Sequence, residues 1–518
     1  MTASAVAIAV TASGNMALAQ SGEEKDKSCD WDNMFFEIMT PGSAARSHKT
    51  VRGIALLACM QAWAAPVAAG DLYELGPVMT NPRLFTQTAT QSVWNLAPAE
   101  QAGPAKPTEI ADAKGGGTES DPSSDPTTLS IPYGFYNENF GAAAAYVYAR
   151  ANYPQRDSMV LGTVMAGSKG SVLGFLMGRN LPIPGLDRFF VDPILSVGYF
   201  GDNDVYIDGN PDFPNERAGI NDSDEDNFVE GDGIDIFFRA RFKYLLPIGH
   251  GRDQIIPDYR FDRGLLVDGA TGAESLNPLE SGRTFLSLRP FYRDLEVDGD
   301  GVDESLETLG VDFTLQWDNR DLPMNPSRGQ AVTLEYNLDP GIVNESWDVV
   351  QMEVEAYFDL GRTDRFRQRT LALDFWTAHS LSWNETASGE IENRPPAYSG
   401  ATLGGLWRMR GYPTQRFNDR SAIYYSAELR LTPDWNPFDN YPWLQKHLGV
   451  QWIQFAPFVE LGRVAPDWDL SELHEDMKFD AGLGIRVMAR GLVVRLDTAV
   501  SDEGVGVQMM VGMPFGFR

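Results

Sequence analysis

Two arginines in a glycine-rich stretch are the residues of this chain with the most specific chemistry. The stretch runs from Leu403 to Arg430 and carries Arg408 and Arg410, the second of them in the triplet Arg410-Gly411-Tyr412. A guanidinium presents five N–H donors in a planar fork, so one arginine can bridge two carboxylates. Bulky aromatic residues beside arginines are unusual for a surface loop, where lysine, serine and aspartate cost less.

Two carboxylates fall on the polar faces of predicted strands. In 420–432 the apolar residues are odd-numbered, so Glu428 lies on the opposite face, and in 451–461 the same alternation puts Glu460 on the polar face. If these strands are neighbours and both faces point inward, the two like charges repel each other. A guanidinium between them removes that repulsion, so we predict that Arg410 pairs with Glu428 and Glu460.

An acidic motif at 296–307 has the ligand spacing of a calcium loop. It reads EVDGDGVDESLE and places Glu296, Asp298, Asp300 and Glu307 at positions one, three, five and twelve, with Gly301 at position six. The motif departs from an EF-hand loop by Glu at position one and by an apolar residue one place early. The alternative is a solvated surface loop that holds cations loosely.

The remaining residues give little indication of catalysis. The five histidines share no metal-ligand spacing, and His379 and Ser380 are neighbours in a predicted strand, where they point to opposite faces. Gly482 and Gly484 lie in an alternating strand, which favours tight packing over a phosphate loop. We therefore expect no enzyme, and no cofactor apart from the predicted Ca²⁺ at 296–307.

From residue 132 onward the chain is a succession of alternating strands, with apolar faces that recur about every ten residues, the length of a tilted strand that crosses a bilayer. Lipid cannot satisfy an open sheet edge, so the sheet must close. The pattern predicts an all-β fold, a closed antiparallel transmembrane β-barrel of about 16 strands. This count puts the acidic segment 201–231 on the periplasmic side. The predicted strands are 140–153, 158–168, 171–179, 188–200, 232–245, 256–267, 283–297, 307–318, 329–338, 347–360, 366–382, 420–432, 450–461, 478–490, 491–500 and 505–517.

A twelve-residue connection between two predicted strands reads DNRDLPMNPSRG, from Asp318 to Gly329. Its prolines, Pro326 among them, fix φ, and the carboxylates of Asp318 and Asp321 are suited to cap backbone donors. Gly329 gives the backbone conformational freedom at the point where the chain enters the next strand.

Two shorter motifs lie further on. Residues 458–462 read FVELG and include Glu460, and the last strand ends with Gly512, Phe515 and Phe517 before a trailing Arg518.

These motifs together resemble the BamA/TamA family of outer-membrane assembly barrels, also called bacterial surface antigens. The family carries an Arg-Gly-Phe/Tyr tip on an inward-folded sixth loop, the pattern Asp-x-Arg-Asp-x-Pro-x-x-Pro-x-Arg-Gly between two strands, Phe-x-Asp-x-Gly, and a C-terminal insertion signal Gly-x-x-apolar-x-aromatic. The turn motif thus includes Arg320. The chain differs from these family patterns at three positions. Glu460 replaces the usual Asp, Met510 stands where a polar residue is usual, and Arg518 follows the final aromatic residue. The resemblance implies that the loop between predicted strands 11 and 12 folds into the lumen.

The resemblance also implies a function at the outer membrane of a Gram-negative bacterium. Such a barrel is surrounded by lipid and lipopolysaccharide and assists the insertion or translocation of proteins or lipids, through a seam where the first and last strands pair weakly. Relatives usually carry periplasmic POTRA modules before the barrel. This chain shows no such alternation of strands and helices, so either a separate periplasmic partner delivers the substrate or the function has drifted.

A passive outer-membrane channel is the alternative function. Inward-facing arginines opposite acidic strands would give a charged pore, and the candidates are Arg239, Arg241, Arg289 and Arg293. Nucleic acid is not expected as a partner, because a net charge of −30 opposes binding to phosphates.

The N-terminal part contains a secretory pattern. Residues 46–70 read RSHKTVRGIALLACMQAWAAPVAAG, which is a basic region, an apolar core and small residues before Gly70. Translation would then start at Met34 or Met39. The alternative is a lipoprotein signal that ends at Cys59, with a very short apolar core. Beyond this segment no run of eighteen apolar residues occurs, which argues against a helical membrane protein.

The sequence therefore predicts three regions. Residues 1–70 are interpreted as a signal peptide with a mis-called start, 71–131 as a disordered linker rich in Pro, Gly, Ser, Thr and Asp, and 132–518 as the barrel.

Cleavage of the signal gives the first testable prediction. The mature protein should begin near Gly70 or Asp71 and contain no thiol, because both cysteines, Cys29 and Cys59, precede that site. N-terminal sequencing of outer-membrane material and a thiol assay measure this. Retention of residues 30–60 in that material would contradict the prediction.

Overall fold

The computed structural model describes residues 126–137, 139–299, 301–387 and 391–511, all within one compact unit. The interpreted signal peptide, the linker up to residue 125 and the C-terminal motif with Gly512, Phe515 and Phe517 lie outside the described residues. Within the part of the chain that is described, no helix is long and apolar enough to cross a membrane.

Sixteen antiparallel strands form a nearly closed barrel, as the sequence predicts. Each strand pairs with the next one along the chain, which makes the sheet an up-and-down meander. The strands are β1 (Thr127–Asn137), β2 (Gly141–Ala151), β3 (Met159–Gly167), β4 (Val172–Arg179), β5 (Leu186–Val205), β6 (Val229–Leu245), β7 (Arg283–Gly299), β8 (Val302–Asp318), β9 (Gly329–Asp339), β10 (Trp347–Asp359), β11 (Phe366–Ser380), β12 (Ser421–Pro433), β13 (Val450–Ala465), β14 (Lys478–Ala489), β15 (Leu492–Val500) and β16 (Val505–Val511).

The outer face of the wall is apolar and exposed. In β8, Phe313 and Leu315 are 46% and 43% exposed, whereas Asp312 and Thr314 beside them are buried on the inner face. Successive residues of a strand point to opposite sides of the sheet, so the alternation in the sequence becomes two chemically different surfaces. An apolar outer band with a polar interior is the pattern of a barrel in lipid.

The strand number is as predicted, but two individual strands differ. Residues 127–131, assigned to the linker, are part of β1, which contains Pro132 and Gly134 and therefore lacks a clear strand pattern. The predicted strand 256–267 is not part of the barrel. It overlaps a short hairpin of Arg260–Asp262 and Leu265–Asp268, in which Arg263 and Gly264, with φ of 45° and 76°, reverse the chain.

These two differences change the side on which the acidic segment lies. With β1 counted, the connection 206–228 follows β5 and lies at the same end of the barrel as 381–420, the connection between β11 and β12. We call this the upper end, and the end with the β8–β9 turn 319–328 the lower end. The prediction that the acidic segment lies with the short periplasmic turns is therefore wrong.

The connections contain the few helices and short strands outside the wall. A helix spans Pro442–Leu448, and 3-10 turns span Gly249–Arg252, Pro437–Asn440 and Glu472–His474. Leu181–Ile183 pairs with β5 beside the end of β4. In the β11–β12 connection, Asn384–Glu385 pairs with Ile391–Glu392, and Ala401–Leu403 pairs with Phe417–Asp419.

The wall has one seam, between β1 and β16. The two strands are in contact, but no backbone ladder joins them within the described residues. Near the seam the Thr127 hydroxyl donates to the carbonyl oxygen of Arg490 at 2.7 Å, and Leu129 shares an apolar cluster with Leu492. Within the described residues, every other pair of neighbouring wall strands is joined by a ladder.

The interior differs in polarity from one side to the other. On β1 to β5 the inward residues are largely apolar, with Leu129, Val147, Leu161 and Met177 in one buried cluster. On β7 to β15 many inward residues are charged and buried. Charges in such an environment need partners, because an unpaired buried charge is costly.

The lipid-facing surface gives a second prediction. Leu334 lies in the middle of β9 and is 45% exposed, so Leu334→Arg would put a cation near the middle of the bilayer. Such a cation costs about 2–4 kcal/mol in unfolding free energy at the midplane and about 0–1 near the interface. Phe358→Arg, also lipid-facing but near the lower end of β10, is the matched control. Equal losses for both variants in urea titrations of lipid-embedded protein would contradict the assigned depth.

Candidate functional site

The β11–β12 connection turns into the barrel and presents Arg410 to the inner wall. The short strands Ala401–Leu403 and Phe417–Asp419 pair and hold the base of this inward loop. Its tip approaches the wall at two glycines. A Cβ on Gly411 would lie 2.7 Å from Cβ of Asp480, and a Cβ on Gly506 would lie 2.2 Å from the carbonyl oxygen of Arg410. Side chains at either position would displace the tip.

Arg410 is fully buried and contacts three carboxylates. Its Nη1 donates to Glu428 Oε1 at 2.9 Å and to Asp497 Oδ2 at 2.8 Å, and its Nε donates to Glu460 Oε1 at 3.0 Å. Its backbone N–H donates to Glu460 Oε2 at 2.6 Å. The guanidinium carbon lies 3.5 Å from the ring centroid of Phe458. The structure thus brings together the residues Arg410, Glu428 and Glu460 that alternation predicts to meet.

Five further charged residues complete this cluster, and the sequence analysis did not identify them as site residues. Three are arginines that pair with the same carboxylates: Arg430 and Arg486 donate to Glu428 at 2.9 and 2.8 Å, and Arg495 donates to Asp497 at 2.8 Å. We call the set of Arg410, Arg430, Arg486, Arg495, Glu428, Glu460, Asp480 and Asp497 the Arg410 cluster.

The Arg410 cluster is balanced, with four arginines and four carboxylates, and its carboxylates come from the four consecutive strands β12, β13, β14 and β15. Asp480 accepts from the backbone N–H of Gly411 at 2.9 Å. The sequence does contain an indication for three of these residues. Arg486, Arg495 and Asp497 occupy the polar face of strands whose opposite face is apolar. The register that brings them to one loop tip is not visible in the sequence.

Tyr412, the third residue of the triplet, fixes the loop to the upper end. Its hydroxyl lies 2.6 Å from Asp502 Oδ1 and 3.1 Å from the carbonyl oxygen of Phe479, and its ring packs edge-on against Phe417. Burial raises the pKa of Tyr412, and the hydrogen bond to Asp502 raises it further, so the phenol stays protonated as a donor.

The acidic connection 206–228 contacts the base of the inward loop. Arg416 donates to Glu503 at 2.7 Å and to the carbonyl oxygen of Ser223 at 2.7 Å, and Arg217 pairs with Asp419 at 2.7 Å. This segment, expected on the periplasmic side, therefore covers the loop at the upper end.

The β8–β9 turn is held by a second buried arginine. Arg320 donates two hydrogen bonds to Asp318, both at 2.8 Å, and one to Glu355 on β10 at 2.8 Å. Asp321 accepts from the backbone N–H groups of Leu322 and Ser327 at 2.9 Å each. The carboxylates of the motif thus stabilise the turn as the sequence predicts, and Pro326 is buried within it.

Gly329 ends this turn. Its φ is 101°, and a Cβ there would lie 2.1 Å from the carbonyl oxygen of Asn319. Glycine is required at this position for both reasons.

The predicted calcium loop has a different geometry. Its residues belong to the β7–β8 hairpin, where Glu296 pairs with Ser305, Asp298 with Asp303, and Glu307 with Asp294. An EF-hand ligand set requires a curved loop, whereas extended strands hold these carboxylates apart. Asp300 lies outside the described residues, and within them no group of three or more candidate ligands could hold a metal ion. The described residues of 296–307 thus lie on extended strands, and calcium binding by this hairpin stays an untested prediction.

The four arginines of the channel hypothesis lie on the inner face, and three of them are paired. Arg289 contacts Asp312 and Glu335, Arg293 donates twice to Asp235 at 2.9 and 2.8 Å, and Arg241 lies 3.5 Å from Glu335. The fourth, Arg239, lies against the ring of Phe237 at 5.2 Å.

Among the solved structures that match, three align with three quarters of the chain. They are BamA from Haemophilus ducreyi lacking POTRA domains 1-3 (12% identity, TM-score 0.39), CdiB from Acinetobacter baumannii (10%, 0.42) and CdiB from Escherichia coli (10%, 0.44). The alignments cover 75% of this chain and 69%, 59% and 61% of those chains, respectively. No family model and no curated protein matches the sequence.

The Arg410 cluster gives a third prediction. Arg410→Met leaves Glu428, Glu460 and Asp497 without their shared cation, and removing one partner of such a buried pair costs about 3–5 kcal/mol in unfolding free energy. Arg410→Lys should recover only part of this loss, because an ammonium cannot reproduce the planar fork. Urea unfolding of the refolded barrel, followed by tryptophan fluorescence, measures both variants.

The matched control is Arg420→Met at the upper end. Arg420 is partly exposed and lies 3.6 Å from Asp467, so its loss should cost at most about 1 kcal/mol. An Arg410→Met variant as stable as this control would show that the cluster does not anchor the loop.

Proposed function

We propose that this chain is an outer-membrane barrel of a Gram-negative bacterium that assists the insertion or translocation of polypeptides. Outer-membrane placement is supported by the apolar outer band and by the sequential antiparallel pairing of the strands, since a closed barrel is the one β structure that lipid tolerates. The proposed work is non-covalent, so it needs neither a nucleophile nor a cofactor.

One observation carries the proposal, the seam between β1 and β16. Where no ladder joins the described residues of β1 and β16, backbone N–H and C=O groups are open to an extended peptide, which can add as a further strand. A substrate strand that enters at the seam breaks no existing ladder, whereas entry at any other position would first require breaking one. Backbone hydrogen bonding at this edge does not depend on the substrate sequence, which suits a barrel that serves several polypeptides.

The inward loop supports the seam from inside. Its tip lies against β16 at Gly506, and the Ser501 hydroxyl donates to the carbonyl oxygen of Gly411 at 2.9 Å. The Arg410 cluster fixes the same tip to β12, β13, β14 and β15. The C-terminal side of the seam is therefore braced, and opening would occur by movement of β1.

The partners of this barrel would follow from its location in the outer membrane. Membrane lipid and lipopolysaccharide would surround the wall, and a separate periplasmic protein would deliver the substrate to the lower end, where β1 begins at Thr127.

The channel alternative predicts a different effect of deleting the inward loop. A passive pore should conduct in planar bilayers, and its conductance should survive deletion of 403–419. In the assembly barrel the loop occupies the lumen and Arg289 and Arg293 are paired, so the intact chain should conduct little.

A disulfide across the seam gives the fourth prediction. A Cβ built on Gly491 lies 3.5 Å from Thr127 Oγ1, so Thr127→Cys with Gly491→Cys should form a disulfide that ties the start of β1 to the β14–β15 turn. In cells that depend on this variant, oxidation should deplete the same outer-membrane proteins as loss of the whole chain, and reduction should restore them. Quantitative mass spectrometry of outer membranes measures this.

Gly491→Cys alone is the matched control. Gly491 has φ of 81°, so any side chain there costs about 1–2 kcal/mol without closing the seam. Normal assembly with the disulfide fully formed would contradict a role for the seam, and unchanged membrane composition on depletion of the chain would overturn the proposed function itself.

A further inference from the structure

A cavity of about 380 Å³ lies between the inward loop and the inner wall formed by β6 to β11. It is separate from the Arg410 cluster, none of whose members lines it. Its lining includes aromatic and arginine side chains, namely Phe237, Arg239, Arg289, Trp347, Trp376 and Arg408. Ligand sites in proteins usually measure about 300–1,000 Å³, and a cavity of about 150 Å³ already holds benzene.

Buried hydrogen-bond donors in the lining have no acceptor. Trp347 is 3% exposed, and its indole Nε1–H has no partner within the described chain. Arg289 is 8% exposed, and its Nη1 has none either, although its other nitrogens contact Asp312 and Glu335. Nε of Arg408 is likewise unpaired. Leaving such donors unsatisfied is costly, so the cavity is suited to a ligand that supplies acceptors.

The charges around the cavity have a positive excess. Five arginines lie in or beside the lining, and they face four carboxylates, so the net charge is plus one. The arginines are Arg239, Arg241, Arg289, Arg293 and Arg408, and the carboxylates are Asp235, Asp312, Glu335 and Glu353. The excess is located at Arg239, which has no ion pair within the described residues. An anion would remove this excess.

Aromatic rings form the rest of the lining. Phe291 and Trp347 stack with their centroids 6.0 Å apart, and the Arg408 guanidinium lies 3.7 Å from the ring centroid of Trp376. Phe237 and Trp407 complete the aromatic surface. Flat apolar surfaces of this kind favour a planar ring in the ligand.

We infer that this cavity is a binding site for a small organic anion, a carboxylate or phosphate attached to a planar aromatic ring. The charged group would accept from the Trp347 indole and the Arg289 guanidinium and lie near Arg239. The ring would pack among the aromatic side chains. Because Trp407 and Arg408 belong to the inward loop, the bound anion would also join the loop to β6, β7 and β10.

The test uses the full chain folded in detergent micelles, with benzoate and phenyl phosphate as probes. Trp347, Trp376 and Trp407 line the cavity, so binding should change tryptophan fluorescence. Calorimetry should show one saturable site, and the comparison of the two probes distinguishes a carboxylate from a phosphate ligand. Benzyl alcohol and benzylamine, which keep the ring without the negative charge, should bind at least about tenfold more weakly, because a hydrogen bond to a charged group is worth about that factor or more.

Two variants remove donors without breaking an ion pair. Trp347→Phe keeps an aromatic ring and deletes the indole N–H, and Arg239→Gln deletes the unpaired cation. Each should raise the Kd of the better probe by about tenfold. Arg420→Gln, an arginine outside the lining, should leave the Kd unchanged, and gel mobility before and after heating shows that each variant is folded. Absence of saturable binding, or an equal Kd in both lining variants and the control, would overturn the inference.

Discussion

The burial of the Arg410 guanidinium is the interaction on which the interior depends. A fully buried cation is tolerated only when carboxylates surround it, and Glu428, Glu460 and Asp497 do so from three different strands. These carboxylates in turn need the cation, since their like charges repel each other. Burying the guanidinium of the loop without the carboxylates of the wall, or the carboxylates without the guanidinium, is therefore unfavourable. The inserted loop is thus part of the barrel and not an appendage.

This dependence distributes the charged contacts of the interior unevenly. The loop tip joins four consecutive strands on the C-terminal side, while β1 to β5 have a largely apolar inner face and no such connection among the residues that the structure describes. The seam lies where these two parts meet. The cavity beside Arg408 lies between the loop and the opposite wall.

The upper end reinforces this arrangement. Ser223 accepts from Arg416 at the base of the loop, Asn418 donates its backbone N–H to the carbonyl oxygen of Gly219 at 2.7 Å, and Tyr412 reaches Asp502. The acidic connection 206–228 thus has a structural role, because it covers the loop from outside the membrane band. The net negative charge of the chain does not extend to the cavity lining, where arginines are in excess.

The sequence by itself determined the barrel, its strand number and the inward orientation of Glu428 and Glu460, because alternation with period two assigns each side chain to lipid or lumen. Prediction from the sequence missed β1, where Pro132 and Gly134 interrupt the alternation. It also assigned a wall strand around 260–268, where Arg263 and Gly264 turn the chain into a hairpin. Only the tertiary structure decided which carboxylates share the guanidinium. Strand register sets those distances, and it depends on pairing between residues far apart in the chain, as for Asp497 and the acidic connection that covers the loop.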